Sequence, residues 1–254
     1  LPPAPLTRRW PAPAPATPAS NATDQPQTAT APTKITLAMG YIPSVQFAPF
    51  YVAIEKGYFA KHGIEVELAY GNEADLVALV GSDNQRFMIA SGEQVLLSRA
   101  QGLPVVSVRE WYKDYPVGVV SLSSSQIIQP EDLLGQVIGL PGLYGANYIG
   151  FEALAAYAGM TDADYELRSI GFTQVEALVA NQVDAVVVYV ANEPVQLRDR
   201  GYEINLIKVS DVISLVGNCL VTNEKSVTKR TDLVQGMVNA MNEALAATAA
   251  DPDM

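Results

Sequence analysis

Apolar positions fall in short blocks along this 254-residue chain, and two periods alternate between them. Residues 35–39 form an unbroken apolar run, whereas Ile64, Val66 and Leu68 alternate with Glu65 and Glu67. Both patterns predict strands. Between them a helical segment ends at Gly57-Tyr58-Phe59. Parallel strands need a covering crossover, so residues 34–71 predict a strand–helix–strand unit of an α/β sheet. The loop after the first strand, residues 41–50, is aromatic and almost free of charge. Such a loop is either capped by another part of the protein or touches a ligand.

The alternation continues downstream. The pattern predicts helices over 73–80 and 93–100 and strands over 86–90, 105–108 and 117–122. A Ser-rich stretch at 121–125 marks a change, followed by a short helix near 130–135 and a strand over 137–140. A helix over 148–158 stops at Gly159, and a strand over 165–170 follows. Next come a helix over 174–181, a strand over 184–190 and a helix from Pro194 to near Gly201. Strands over 204–209 and 214–221 precede a long helix over 231–249. That last helix carries Leu233, Met237, Met241 and Leu245 on one face. Two alternating blocks predict two α/β lobes, and the strand near Leu215 carries the chain back to the first. The lobes are then residues 34–117 with 219–254, and residues 118–218. No sequence repeat relates them.

Composition narrows the function classes. Hydrophobic residues make up 49% of the chain, which belongs to a globular protein. The net charge of −11 argues against a nucleic-acid partner, which needs a basic face. No apolar run reaches the length of a membrane span. A single cysteine, Cys219, and a single histidine, His62, leave no disulfide and no His/Cys metal site; no metal or cofactor is expected. His62 reads as a solvated residue at a helix end, and Cys219 as a small buried hydrophobe. Residues 1–33 are rich in Pro, Ala and Thr and predict an extended, polyproline-like spacer. It is either a tether that holds the folded part away from a membrane or wall, or a tail without a role. The chain stops abruptly at Asp251-Pro252-Asp253-Met254, after a helix that should pack on something, so a truncated C-terminus is expected.

Several segments together carry a family likeness. Y-I-P-S-V-Q-F-A-P-F-Y-V-A-I-E-K-G-Y-F-A-K-H-G-I-E-V-E-L begins at Tyr41. It is followed in order by Leu79-Val80-Gly81-Ser82, Phe87-Met88-Ile89-Ala90, Arg99-Ala100-Gln101-Gly102-Leu103-Pro104-Val105, and P-E-D-L-L-G-Q-V-I-G-L-P-G from Pro130. This series resembles the substrate-binding proteins of ABC importers, in the branch that takes thiamine-pyrimidine precursors and alkanesulfonates. Gln136 stands where that pattern has lysine. The resemblance covers about residues 34–250. It implies a two-lobe periplasmic-binding-protein fold with a hinge, a ligand in the interlobe cleft, an extracytoplasmic location, and a membrane permease as partner. The chain is expected to act as a monomer.

In such a fold the loops at the carboxyl ends of the strands face the cleft. In the first lobe they hold Tyr41, Gln46, Phe47, Ser91, Glu93, Trp111 and Tyr112. In the second they hold Tyr144, Asn147, Phe172, Tyr189, Asn192 and Glu193. Several have a plainer role open to them. Trp111 and Phe47 suit interlobe or helix packing, Asn192 a helix cap, and Glu93 and Glu193 first-turn acids favoured by the helix dipole. The set is aromatic, amide and carboxylate, so it suits a flat neutral or cationic heterocycle, a vitamin or its precursor. Sulfonate binding, and a ligand sensor without a transporter, are the alternatives. The same fold includes an enzyme branch that makes the thiamine pyrimidine, with a lysine and a histidine on the segment aligned with residues 88–96. Here those positions resemble Ala90 and Gln94, and a Schiff base needs an amine. The expectation is a binding protein, not an enzyme. The first loop also has Gln46-Phe47 where pyrimidine binders often carry Asn-x-x-His, which leaves the ligand open.

Overall fold

The computed structural model describes residues 31–251, so the spacer expected over 1–33 falls almost wholly outside the described residues. In chain order the elements are β1 (Thr33–Met39), α1 (Ala48–Glu55), β2 (Ile64–Tyr70), α2 (Glu73–Gly81), β3 (Phe87–Ala90), α3 (Gly92–Ala100), β4 (Val105–Glu110) and β5 (Val117–Leu122). They continue as β6 (Val137–Leu140), α4 (Gly145–Tyr157), β7 (Glu166–Ser169), α5 (Gln174–Val179), β8 (Ala185–Tyr189), α6 (Glu193–Asp199), β9 (Ile204–Lys208), β10 (Cys219–Asn223), α7 (Glu224–Lys229) and α8 (Thr231–Ala250).

The strands form two five-stranded sheets, ordered β2-β1-β3-β10-β4 and β7-β6-β8-β5-β9. In each, parallel pairs from strand–helix–strand units lie beside antiparallel strands: β10 in the first, β5 in the second. Helices cover both faces, which explains why β3 and the middle of β8 are apolar at every position rather than at alternate ones. Leu37, Met39 and Ile89 pack on one face of the first sheet with Phe50 of α1 and Met237 and Met241 of α8. Ala38, Met88 and Ala90 pack on the other with Val77 and Val80 of α2. In the second sheet Val119, Leu140 and Val187 meet Phe151 and Leu154 of α4. Val120, Val186 and Val188 meet Leu178 of α5 and Leu197 of α6 on the opposite face. Burying one such side chain is worth about 1.5–3 kcal/mol, so each sheet holds its own core.

The structure corrects three details. The strand expected over 214–221 begins only at Cys219, and 213–218 belongs to no strand or helix. Helix α4 starts at Gly145, three residues before the apolar pattern implies, because Gly145 takes a left-handed φ of 70° that turns the chain into the helix. Helix α7 was not legible, because its Glu-Lys-Ser-Val-Thr-Lys sequence has no apolar stripe; Asn223 starts it by accepting a hydrogen bond from the Ser226 N–H.

The chain passes between the sheets twice, through residues 111–116 and 209–218. The two passages meet: the N–H groups of Trp111 and Tyr112 both donate to the Asn218 carbonyl, at 2.8 and 3.2 Å. Gly217 lies so close that a methyl group there would collide with the Tyr112 carbonyl. A methyl on Gly92 would stand 2.7 Å from Val216 Cβ and 2.8 Å from the Gly217 carbonyl. The seam is therefore built on two glycines. Replacing Gly217 with alanine should lower stability by about 1–3 kcal/mol, read from the urea midpoint, because the clash is with backbone that cannot rotate away. An unchanged midpoint would show that the seam is looser than drawn.

Candidate functional site

The loops after β1, β2, β6 and β8, with the start of α5 and the seam, enclose a cavity of about 400 Å³ between the sheets. That falls within the range of roughly 300–1,000 Å³ usual for small-ligand sites. From the first sheet's side come Tyr41, Gln46, Phe47, Tyr70, Glu73 and Trp111; from the second, Tyr144, Asn147, Phe172, Gln174, Tyr189 and Glu193; Asn218 joins from the seam. None of the lining residues is Lys, Arg or His. Among the described residues no group of three His, Cys, Asp or Glu is placed to hold a metal.

Nine of the thirteen residues expected to face the cleft do line this cavity, and Ser91, Glu93, Tyr112 and Asn192 do not. Ser91 sits behind it and donates both its N–H and its hydroxyl (3.0 Å) to Glu73. Glu93 is buried behind it in the first turn of α3 and accepts from the Tyr115 hydroxyl at 3.0 Å. Tyr112 is not among the lining residues and lies against Trp111, ring centres 4.3 Å apart. Asn192 is buried beside a second recess of about 410 Å³, beyond Tyr41 and Phe172, and accepts from the Ser44 hydroxyl at 3.0 Å.

The aromatic wall divides into fixed and free parts. Phe47 and Trp111 stack at 5.6 Å, and Phe50 meets the Trp111 face edge-on at 5.2 Å. That trio belongs to the first core, so Trp111 serves packing and lining at once. Tyr144 and Phe172 are different: they are 56% and 45% exposed, so packing does not account for them. Phe172 stands edge-on to Tyr41 across the lobes at 4.8 Å. The Tyr41 hydroxyl donates to Glu193 Oε1 at 3.2 Å, a second link between the sheets' loops.

The polar groups are mostly committed. Glu193 also accepts from the Tyr189 N–H at 3.0 Å and the Asn192 amide at 2.9 Å. Asn147 donates to the Val187 carbonyl at 3.0 Å, and Asn218 to the Tyr189 hydroxyl at 3.2 Å. Gln46 is the exception. It is only 7% exposed, and its Oε1 has no hydrogen-bond partner in the protein. Buried polar atoms are normally paired, so Gln46 stands out among the lining residues as an acceptor without a partner.

Burial raises the carboxyl pKa of Glu193 and of Glu93, against the pull of their hydrogen bonds. Burial also pushes Glu73 up to about 7; the charge of nearby Glu93 adds to this, and the two Ser91 donors oppose it. Sequence reasoning missed Glu73, along with Tyr70, Gln174 and Asn218. Glu73 was findable by the rule that selected the others: Tyr70-Gly71-Asn72-Glu73 is a strand-to-helix loop at the carboxyl end of β2. Asn72 caps α2 there by accepting from the Ala74 N–H at 3.0 Å.

Comparison with known proteins agrees with this geometry. A family model described as NMT1/THI5 like matches residues 44–254. The chain is 40% identical over 247 residues to the riboflavin-binding protein RibY of Chloroflexus aurantiacus, covering 95% of this chain and 70% of that one. It is 28% identical to the formylaminopyrimidine-binding protein of Halalkalibacterium halodurans, covering 70% of this chain and 54% of that one. A 4-amino-5-hydroxymethyl-2-methylpyrimidine phosphate synthase of Legionella pneumophila is 23% identical, over 87% of this chain and 71% of that one. Among solved structures, the periplasmic aliphatic sulphonate binding protein SsuA of Escherichia coli superposes with a TM-score of 0.72 at 13% identity, covering 87% and 76% of the two chains. The fold is thus the periplasmic-binding-protein fold, two sheets with flanking helices.

Two outcomes test the site. Tyr144→Ala should leave the urea midpoint within about 0.5 kcal/mol of wild type, as exposed positions do, while weakening ligand binding measured by titration calorimetry. For Glu73 the folded protein holds its proton more tightly than the unfolded chain does. Its stabilising contribution is therefore complete below the ordinary value of 4.5 and lost as pH rises through about 7. Glu73→Gln cannot ionise, so it should gain about 1–3 kcal/mol on wild type between pH 4.5 and pH 8 in urea melts. A constant difference across that range would mean that Glu73 titrates as an ordinary surface carboxyl.

Proposed function

This chain belongs to the NMT1/THI5-like family, and we propose that it is the extracytoplasmic substrate-binding component of an ABC importer. Its ligand is a flat heteroaromatic vitamin or vitamin precursor, riboflavin before a thiamine-type pyrimidine. The observation that carries this reading is the cavity wall: the exposed aromatic rings of Tyr144 and Phe172 from the second lobe line it with Trp111 and Phe47 from the first, beside one orphan acceptor at Gln46. Stacked rings recognise a planar ligand, and a few polar groups orient it. The 40% identity to a protein named for riboflavin supports the larger ring system.

In operation, residues 34–117 with 219–254 and residues 118–218 act as the two closing lobes. A ligand that touches both stabilises the closed form, and only such differential contact shifts the equilibrium. The permease then reads the closed face, with the protein as a monomer. Residues 1–33 act as the tether. The chain is a binder rather than a synthase: residues 88–96 contain no lysine, and Ala90 and Gln94 stand where the enzyme branch would place its lysine and histidine. The one histidine, His62, lies 3.4 Å from Glu243 of α8, remote from the cavity lining.

Riboflavin should quench in fluorescence on mixing with the protein and raise its melting temperature, by about 2.7 kcal/mol of added stability at 100 times Kd. Gln46→Met, which keeps length but loses the acceptor, should weaken that binding roughly 10-fold without lowering the melting temperature of the free protein. A melting shift with taurine or an alkanesulfonate, and none with riboflavin or the pyrimidine, would overturn this function.

A further inference from the structure

We propose that this cavity takes the uncharged, unphosphorylated form of its heterocycle and rejects the phosphate ester of the same ring. The reason is that no side-chain cation lines the space, whereas two of the protein's own carboxyl groups do. The proposal rests on the reading of the cavity as a site for a flat heteroaromatic ligand, and adds the charge that ligand must have.

Three independent features point the same way. The lining contains Glu73 and Glu193 and no Lys, Arg or His, so no side-chain cation faces the space. An anion would then depend on helix N-termini, whose free N–H groups and dipoles attract negative charge. Those that border the cavity are capped by the protein or have an acid beside them. At α2 the Asn72 side chain accepts from the Ala74 and Asp75 N–H groups, at 3.0 and 3.4 Å. Beside the start of the 13-residue helix α4, Glu73 Oε2 lies 3.9 Å from the position a Cβ on Gly145 would take. Glu193, the first residue of α6, accepts from the N–H of Tyr189 at the end of β8, at 3.0 Å. One acid from the first lobe and one from the second thus line the space a phosphate would enter.

The third feature is Gln46. Its unpartnered Oε1 accepts and cannot satisfy a phosphate oxygen, whereas a ring N–H satisfies it directly. A ligand that donates hydrogen bonds to Gln46 and to the two glutamates is matched. A ligand ending in anionic oxygens meets repulsion from the two acids. The net charge of −11 acts in the same direction at longer range.

The test is a paired titration by calorimetry and flavin fluorescence at pH 8 and about 0.15 M salt: riboflavin against riboflavin 5′-phosphate. The phosphate should bind at least 30-fold more weakly, which corresponds to about 2 kcal/mol. Equal affinities, within threefold, overturn the inference and leave the proposed function standing. If neither flavin binds, 4-amino-5-hydroxymethyl-2-methylpyrimidine and its phosphate form the second pair under the same criterion. Binding of taurine or ethanesulfonate with no binding of either aromatic pair overturns both. Glu73→Gln and Glu193→Gln, each checked by its melting curve, should raise the affinity for the phosphate more than that for riboflavin. A gap unchanged in both folded variants removes these carboxylates as its cause.

Discussion

Everything in the cavity depends on a single carbonyl where both interlobe passages meet. The Asn218 carbonyl accepts from Trp111 and Tyr112 of one passage while belonging to the other. A peptide carbonyl has two acceptor directions, and both are used. This fixes the aromatic pair at the end of β4 relative to the start of β10, and through Gly217 and Gly92 it brings α3 against the same point. The Asn218 side chain continues from that joint to the Tyr189 hydroxyl at the end of β8 in the second sheet. One residue therefore registers Trp111 of one wall against Tyr189 of the other. Two glycines stand at this joint because the backbones approach too closely for any Cβ.

The electrostatics follow from that enclosure. Three carboxyls, Glu73, Glu93 and Glu193, lie in or just behind the cavity wall without a cationic partner among its lining residues. Leaving an ionised carboxylate unpaired in such a place is costly, so what matters is how many donors each one has. Glu193 has three, Glu73 two from Ser91, and Glu93 one from Tyr115 with its Oε2 unpartnered. One of the donors to Glu193, Tyr41, comes from the opposite lobe. Parting the lobes removes that donor, so the solvation of Glu193 and the closure of the cleft are tied together. Tyr115 links Glu93 and the Ala146 carbonyl (2.8 Å) in the same manner, from the seam.

The architecture was legible because both sheets are buried on both faces. Such strands read as apolar runs, and helices between them read as gaps of helical length. Strand ends and short polar helices were less legible, since α7 and the irregular chain before Cys219 owe their conformation to capping and to the seam rather than to periodicity. In the site, a single rule about loops at strand ends located the aromatic wall and Glu193. It placed Ser91 and Glu93 in the cleft, whereas Gln94 is the residue of that loop that lines the cavity, because sequence cannot say which residue of a helix's first turn points inward. Ser91 instead positions Glu73, an acid hidden in an ordinary helix start. Asn192 lines the second recess instead, which shares Tyr41, Phe172 and Glu193 with the cavity. Contacts across the lobes are set by tertiary approach, and no local pattern encodes them.

The strength of those cross-lobe contacts decides whether the molecule can work as a switch. The Tyr41–Glu193 and Ser44–Asn192 hydrogen bonds and the Tyr41–Phe172 edge contact tie the loops of one sheet to those of the other. Each is worth about 1 kcal/mol net, since water competes for the same groups in the open form. Three such contacts hold the lobes together by a few kcal/mol, offset by the ordering of the 41–47 loop. Under the proposed closure, open and closed forms then differ by a few kcal/mol at most, which is the condition under which a ligand's own contacts can tip the population. Tyr41 takes part in two of the three contacts and also lines the cavity. A ring resting against Tyr41 therefore bears on the latch itself, and the lobe contacts and the ligand contacts become a single equilibrium.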